Sequence, residues 1–171
     1  MLEDCGGEGG AAMMLAYRLL RLVETHSDAL AAGLLEKTQN SALLPGYRVS
    51  VPRDELKQRV NEIYRHLADW LMGKSELEVE KRYVEIGLRR AQQGVVLSEL
   101  IWAIILTKRN LWDFLKREAV LDRPAEICGE LEVEELLDQF FDRAIYYAAV
   151  GYERWFASEV YEPIGKVSSV R

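Results

Sequence analysis

The sequence predicts an all-α protein of about five main helices. Three observations carry this: apolar residues recur at helical spacing along nearly every segment, no stretch sustains the alternation of a half-buried strand, and the breaks between segments hold Pro, Gly and capping residues. A first helix is expected over residues 11–39, with Leu15, Leu19, Leu22, His26, Leu30 and Leu34 along one side. Ser27 and Asp28 are capping types, so a bend or break is expected there. Pro45-Gly46 and Val51-Pro52 interrupt residues 40–53, and Pro52 suits the first turn of a second helix carrying Leu56, Val60, Ile63, Leu67 and Trp70/Leu71 up to Gly73. Ser75 and Glu78 have capping-box spacing and open a third helix with Val79, Tyr83 and Ile86 inward, ending near Gln93-Gly94. A fourth helix spans about 98–117. Pro124 and Cys128-Gly129-Glu130 read as a connection, and a last helix is expected from about 131 to 160.

Length and composition bound the function classes. A chain of 171 residues with 49% apolar and 29% charged residues, 4 Pro and 12 Gly is a globular domain, expected over 11–160 between a flexible leader at 1–10 and a tail at 161–171. A net charge of −6 offers no basic surface for a phosphate backbone or an anionic bilayer, so neither nucleic acid nor membrane is an expected partner. No unbroken apolar run exceeds seven residues, as in Leu100 to Leu106, where a membrane-spanning helix needs about 20. The start of the chain is acidic and Gly-rich, unlike a signal peptide. Cys5 and Cys128 stand 123 positions apart without a CxxC motif, which predicts a reduced, cytoplasmic chain and no zinc ribbon.

Catalytic motifs are missing: there is no GxSxG, HExxH, GxGxxG or P-loop, and neither His26 nor His66 has the Glu three positions earlier that a di-iron bundle uses. No metal, cofactor or enzymatic activity is therefore expected. Two polar side chains fall on apolar stripes. His26 follows Leu22 and Val23 at helical spacing and points inward, as a core or helix-boundary histidine or else as a ligand-pocket, haem-ligating or pH-sensing group. Arg90 continues the line of Val79, Tyr83 and Ile86, where it caps carbonyls, pairs with a buried acid, or anchors an anion in a cavity. His66 lies beside its stripe and is expected at the surface.

The fourth helix is apolar around its whole circumference at Leu100 to Leu106 and must be covered on both sides. A central core helix and a helix shared with a second subunit both meet that need. The last helix, about 45 Å long for some 30 residues, exceeds what a compact bundle requires. Ile101, Ile105, Trp112, Tyr147 and Trp155 are the candidate residues of a homodimer interface.

The stretch YVEIGLRRAQQGVVLSELIWAI at 83–104, followed by TKRNLWDFL at 107–115, resembles the RsbT co-antagonist RsbRD N-terminal domain family, and HSDALA at 26–31, LPGYR at 44–48 and LADWL at 67–71 agree. The resemblance covers about residues 15–156 and rests on structural motifs. It implies a globin-like or bundle-like sensory domain, without haem, that dimerises and passes a bacterial stress signal through its last helix to a STAS domain. Too few residues follow Trp155 for a STAS domain, so the output is expected to be another, unidentified regulatory protein, or the chain a fragment. His26, Tyr47, Arg90 and Trp102 are the candidate pocket residues, taken from the stripes and the matched motifs. The rival expectations are a haem-binding sensor with His26 as axial ligand and an enzyme with an unrecognised site.

Overall fold

A computed structural model describes residues 8–118 and 124–160, and among these every regular element is helical. The expected leader and tail fall largely outside those residues. The elements are α1 (Glu8–Thr25), α2 (Ser27–Asn40), a single turn α3 (Tyr47–Ser50), α4 (Arg53–Arg65), a π-helical turn (Asp69–Gly73), α5 (Glu76–Gln92), α6 (Leu97–Glu118) and α7 (Pro124–Val160).

Eight helical elements replace the five expected, and each difference has a local cause. The first predicted helix divides at His26, whose φ of −105° and ψ of 15° leave the helical range. The Thr25 hydroxyl bonds back to the carbonyls of Arg21 and Leu22, a side-chain competition that bends helices. The second predicted helix stops at Arg65, where His66 turns to φ −125°, and the chain resumes as a π turn closed by Lys74 N–H donating to Asp69 O at 2.8 Å. The last helix begins at Pro124 rather than near Leu131, because a proline in the first turn gives up an N–H that has no helical partner anyway. Pro124 is thus a start signal and not part of a connection.

Other boundaries fall where the residues require them. Ser75 accepts from Glu78 N–H, and Glu78 accepts from Ser75 N–H at 2.8 Å, which completes the capping box of α5. Gly94, at φ +73°, ends the same helix in the left-handed region.

α7 runs through the core for much of its length. Val133, Leu137, Phe140, Phe141, Ala144 and Ala148 are all buried on one stripe. The Phe140 ring is met edge-on by Tyr83 at 5.8 Å and by Phe141 at 5.2 Å, with Trp70 at 6.2 Å. The most extensive helix pairing is α5 on α7. Its closest approach is a pair of glycines: a Cβ on Gly87 would lie 2.0 Å from the Ala148 carbonyl oxygen, and one on Gly151 2.1 Å from that of Val84. Both obstacles are backbone atoms of rigid helices, so only glycine permits the crossing. Among the described residues no helix is long and apolar enough to cross a membrane.

Gly151→Ala and Gly87→Ala should therefore each cost about 3 kcal/mol in urea unfolding, since the helices must part to admit a methyl group. Gly10→Ala, where an added Cβ meets nothing within 4 Å, should leave the midpoint unchanged or slightly raised.

Candidate functional site

The site begins with a buried charge. Helical spacing carries Arg90 onto the inward line of Val79, Tyr83 and Ile86, and the residue is 1% exposed. An unpaired guanidinium in such a place would be prohibitive, and the first turn of α4 supplies the partner. Glu55 Oε1 accepts from Arg90 Nη1 at 2.6 Å, and the same carboxylate takes two bonds from Arg89, both at 2.7 Å, one from Arg59 Nε at 3.3 Å and one from Gln93 Nε2 at 3.2 Å. The hydrogen bonds from Arg89, with those from Arg90 and the two positive charges, hold the Glu55 carboxyl far below the usual carboxylate range despite its partial burial. Burial, followed by repulsion from Arg82 and Arg90, pulls Arg59 below the ordinary guanidinium value.

Behind this cluster α2, α4, α5 and α6 stand apart around a cavity of about 50 Å³. Its walls are mainly apolar, with Leu34, Val60, Ile63, Ile86, Leu100, Ala103, Ile104 and Phe141 among them. Of the lining residues only Leu56 and Arg59 are incompletely buried, which locates the mouth on α4. Thr38 and Thr107 also line it, but their hydroxyls donate to the Leu34 and Ala103 carbonyls of their own helices. Tyr47 closes one side. It is held there by α6, since the Glu99 carboxylate accepts from the N–H groups of Gly46 and Tyr47 at the start of α3. The Arg90 guanidinium carbon lies 5.6 Å from the Tyr47 ring centre, within cation–π range. Arg90 Nε is buried and has no acceptor among the described residues. Two larger clefts, of about 490 Å³ along Glu62, Lys74 and Arg82 and about 170 Å³ between α2 and α6, have exposed side chains in their walls.

Of the four residues expected in a pocket, Tyr47 and Arg90 meet on this cavity and two do not. His26 is exposed, not interior, because the helix breaks at that residue and the phase extrapolated along α1 ends there. Its Nδ1 lies 2.9 Å from the Leu22 carbonyl oxygen, and the ring is 5.5 Å from Phe114. That placement leaves the haem-ligand expectation without a residue on the cavity. Trp102 is half-buried outside the cavity stripe of α6, which is Leu100, Ala103, Ile104 and Thr107, and Arg109 stacks 4.9 Å from its ring centre. His66 is exposed, as expected.

The candidate interface residues also separate. Ile101, Ile105 and Trp112 lie half-buried on the outward side of α6, and Trp155 is half-buried near the end of α7. Tyr147 faces α5 instead: its hydroxyl donates to Glu76 at 2.5 Å, and that bond pushes its own pKa up to about 12. Sequence reasoning missed Glu55, Arg59 and Gln93. Their role emerges only once α4 and α5 are paired: Glu62 meets Arg82 and, seven residues back on α4 and seven on along α5, Glu55 meets Arg89, the register of an antiparallel helix pair.

Glu55→Ala should cost about 3 kcal/mol in urea unfolding, because it strands a buried guanidinium. The pH dependence follows from the lowered Glu55 value. The unfolded chain binds the extra proton, so this contribution is complete above about pH 4.5 and is lost as pH falls toward the folded-state value. Between pH 5 and pH 3 the melting temperature of Glu55→Gln should fall less steeply than that of the wild type.

Among the described residues no three His, Cys, Asp or Glu side chains gather as a metal site. Comparison with curated proteins and with solved structures gave no significant match. The family described as the RsbT co-antagonist protein rsbRD N-terminal domain matches residues 28–158, which includes α2 to α6 and nearly all of α7 together with Tyr47, Glu55 and Arg90. With a family named for a regulatory co-antagonist matching well over half of its length, the chain belongs to the RsbRD N-terminal domain family.

Proposed function

We propose that this is a non-enzymatic sensory and regulatory domain of the bacterial stress-response type, which pairs with a second copy of itself and hands its signal to a regulatory protein by direct contact. Residues 11–160 act as one globin-like or bundle-like unit in the cytoplasm. The observation that carries this reading is the outward face of α6. Ile101, Ile105 and Trp112 lie there on one side of a helix whose other side, through Leu100, Ile104, Leu111 and Leu115, is fully committed to the core. Lys108, on the same helix, pairs with Asp138 of α7 at 2.6 Å and ties the two helices together. A half-buried apolar strip along one helix suits an isologous contact, in which each copy presents the same patch to the other.

The cavity bounded by Tyr47 and Arg90 is the input in this reading, and α7, packed directly on the helix that carries Arg90, is the output element. Family membership supports the regulatory role, and the outward face supports the pairing.

Light scattering at high micromolar concentration should give twice 19.6 kDa for the wild type, with an interface of more than about 1,000 Å². Ile105→Glu should halve that mass while keeping the helical circular dichroism and the melting temperature near wild type. A wild type that stays at 19.6 kDa would overturn the pairing.

A further inference from the structure

The cluster at the cavity mouth is unbalanced. Arg59, Arg89 and Arg90 share the single carboxylate of Glu55, leaving two positive charges in excess where α4 and α5 face each other. Arg90 is 1% exposed, and while its Nη1 donates to both Glu55 and Gln93, its Nε has no acceptor among the described residues. Buried donors are almost always satisfied, so an orphan on a residue that lines a cavity marks a polar site left incomplete. Besides Arg59 and Arg90 the cavity lining is mainly apolar, with Leu100, Ala103, Ile104 and Phe141 part of it.

We propose that this cavity binds a small aliphatic monocarboxylate, with the carboxylate at Arg90 and Arg59 and the alkyl tail against α6. Size sets the class. One water-sized group needs roughly 10–15 Å³, so about 50 Å³ admits three or four heavy atoms beyond the mouth, the tail of a propionate or butyrate. A larger dianion such as phosphate would bring more charge and find apolar walls in place of further donors. Tyr47, with its ring on Arg90 and its backbone held by Glu99, keeps the guanidinium aimed before the ligand arrives. This deepens the sensory reading by naming what is sensed, but the binding itself does not require pairing.

The test titrates propionate into the full chain at constant ionic strength, followed by calorimetry and by saturation-transfer NMR. A ligand of this size should bind with a dissociation constant between roughly 0.1 and 10 mM. The neutral isostere propionamide should bind at least tenfold more weakly, a comparison made on the wild type alone and so independent of any folding defect. Ala103→Leu, which fills the cavity from α6, should weaken propionate at least tenfold while its melting temperature stays at or above wild type. Absence of saturable propionate binding would overturn the proposal, as would equal affinity for propionamide or undiminished binding to Ala103→Leu, which would place the anion on surface arginines. Light scattering on the same samples separates the two claims: a monomer that binds propionate overturns only the pairing, and a dimer that does not bind it overturns only the ligand.

Discussion

Burying Arg90 is the constraint around which the rest of this domain is arranged. A guanidinium sealed among apolar helices is tolerable only with a carboxylate in reach, and Glu55 can reach it only if the first turn of α4 stands opposite the last turn of α5. That requirement fixes the register of the two helices, which Glu62 and Arg82 repeat two turns away. Because the side chains that join them are long, α4 and α5 are propped apart instead of interlocking. The space between them becomes the cavity, and α2 and α6 supply its remaining walls.

A second buried polar group ties those walls to each other. Asn110 of α6 donates to the Leu30 carbonyl of α2 at 3.0 Å and to the Tyr64 hydroxyl of α4 at 3.3 Å, while Tyr64 donates to the Thr107 carbonyl. Three helices are thereby joined through buried hydrogen bonds, and burial keeps the Tyr64 hydroxyl protonated well beyond its ordinary range.

Much of the fold was legible in the sequence because its determinants are local. Ser75 and Glu78 need only each other to start α5, whereas the break expected at Ser27 and Asp28 falls at His26 with neither side chain capping it. The inward position of Arg90 followed from its spacing after Ile86 alone. His26 was misread because the same arithmetic assumes an unbroken helix, and the break falls on that very residue. Glu55 was invisible for another reason: an acid in the first turn of a helix after proline is the commonest of solvated residues, and only the tertiary pairing of α4 with α5 distinguishes it. Trp102 shows the limit of an all-round apolar run, which does not reveal which arc faces which neighbour. The role of Glu99 in holding Tyr47 lies across more than fifty residues of chain and has no sequence signature.

The glycine crossing of α5 and α7 has a mechanical consequence. Ordinary helix contacts are made through side chains that swing between rotamers and so absorb small displacements, like slack in a linkage. Where Gly87 meets Gly151 backbone lies on backbone and nothing is available to swing. A tilt of α5, whose last turn carries Arg89 and Arg90, cannot be taken up at that fulcrum and must be carried by α7 as a whole. With 37 residues and roughly 55 Å to act over, α7 turns a fraction of an ångström at the crossing into a larger sweep at its far end.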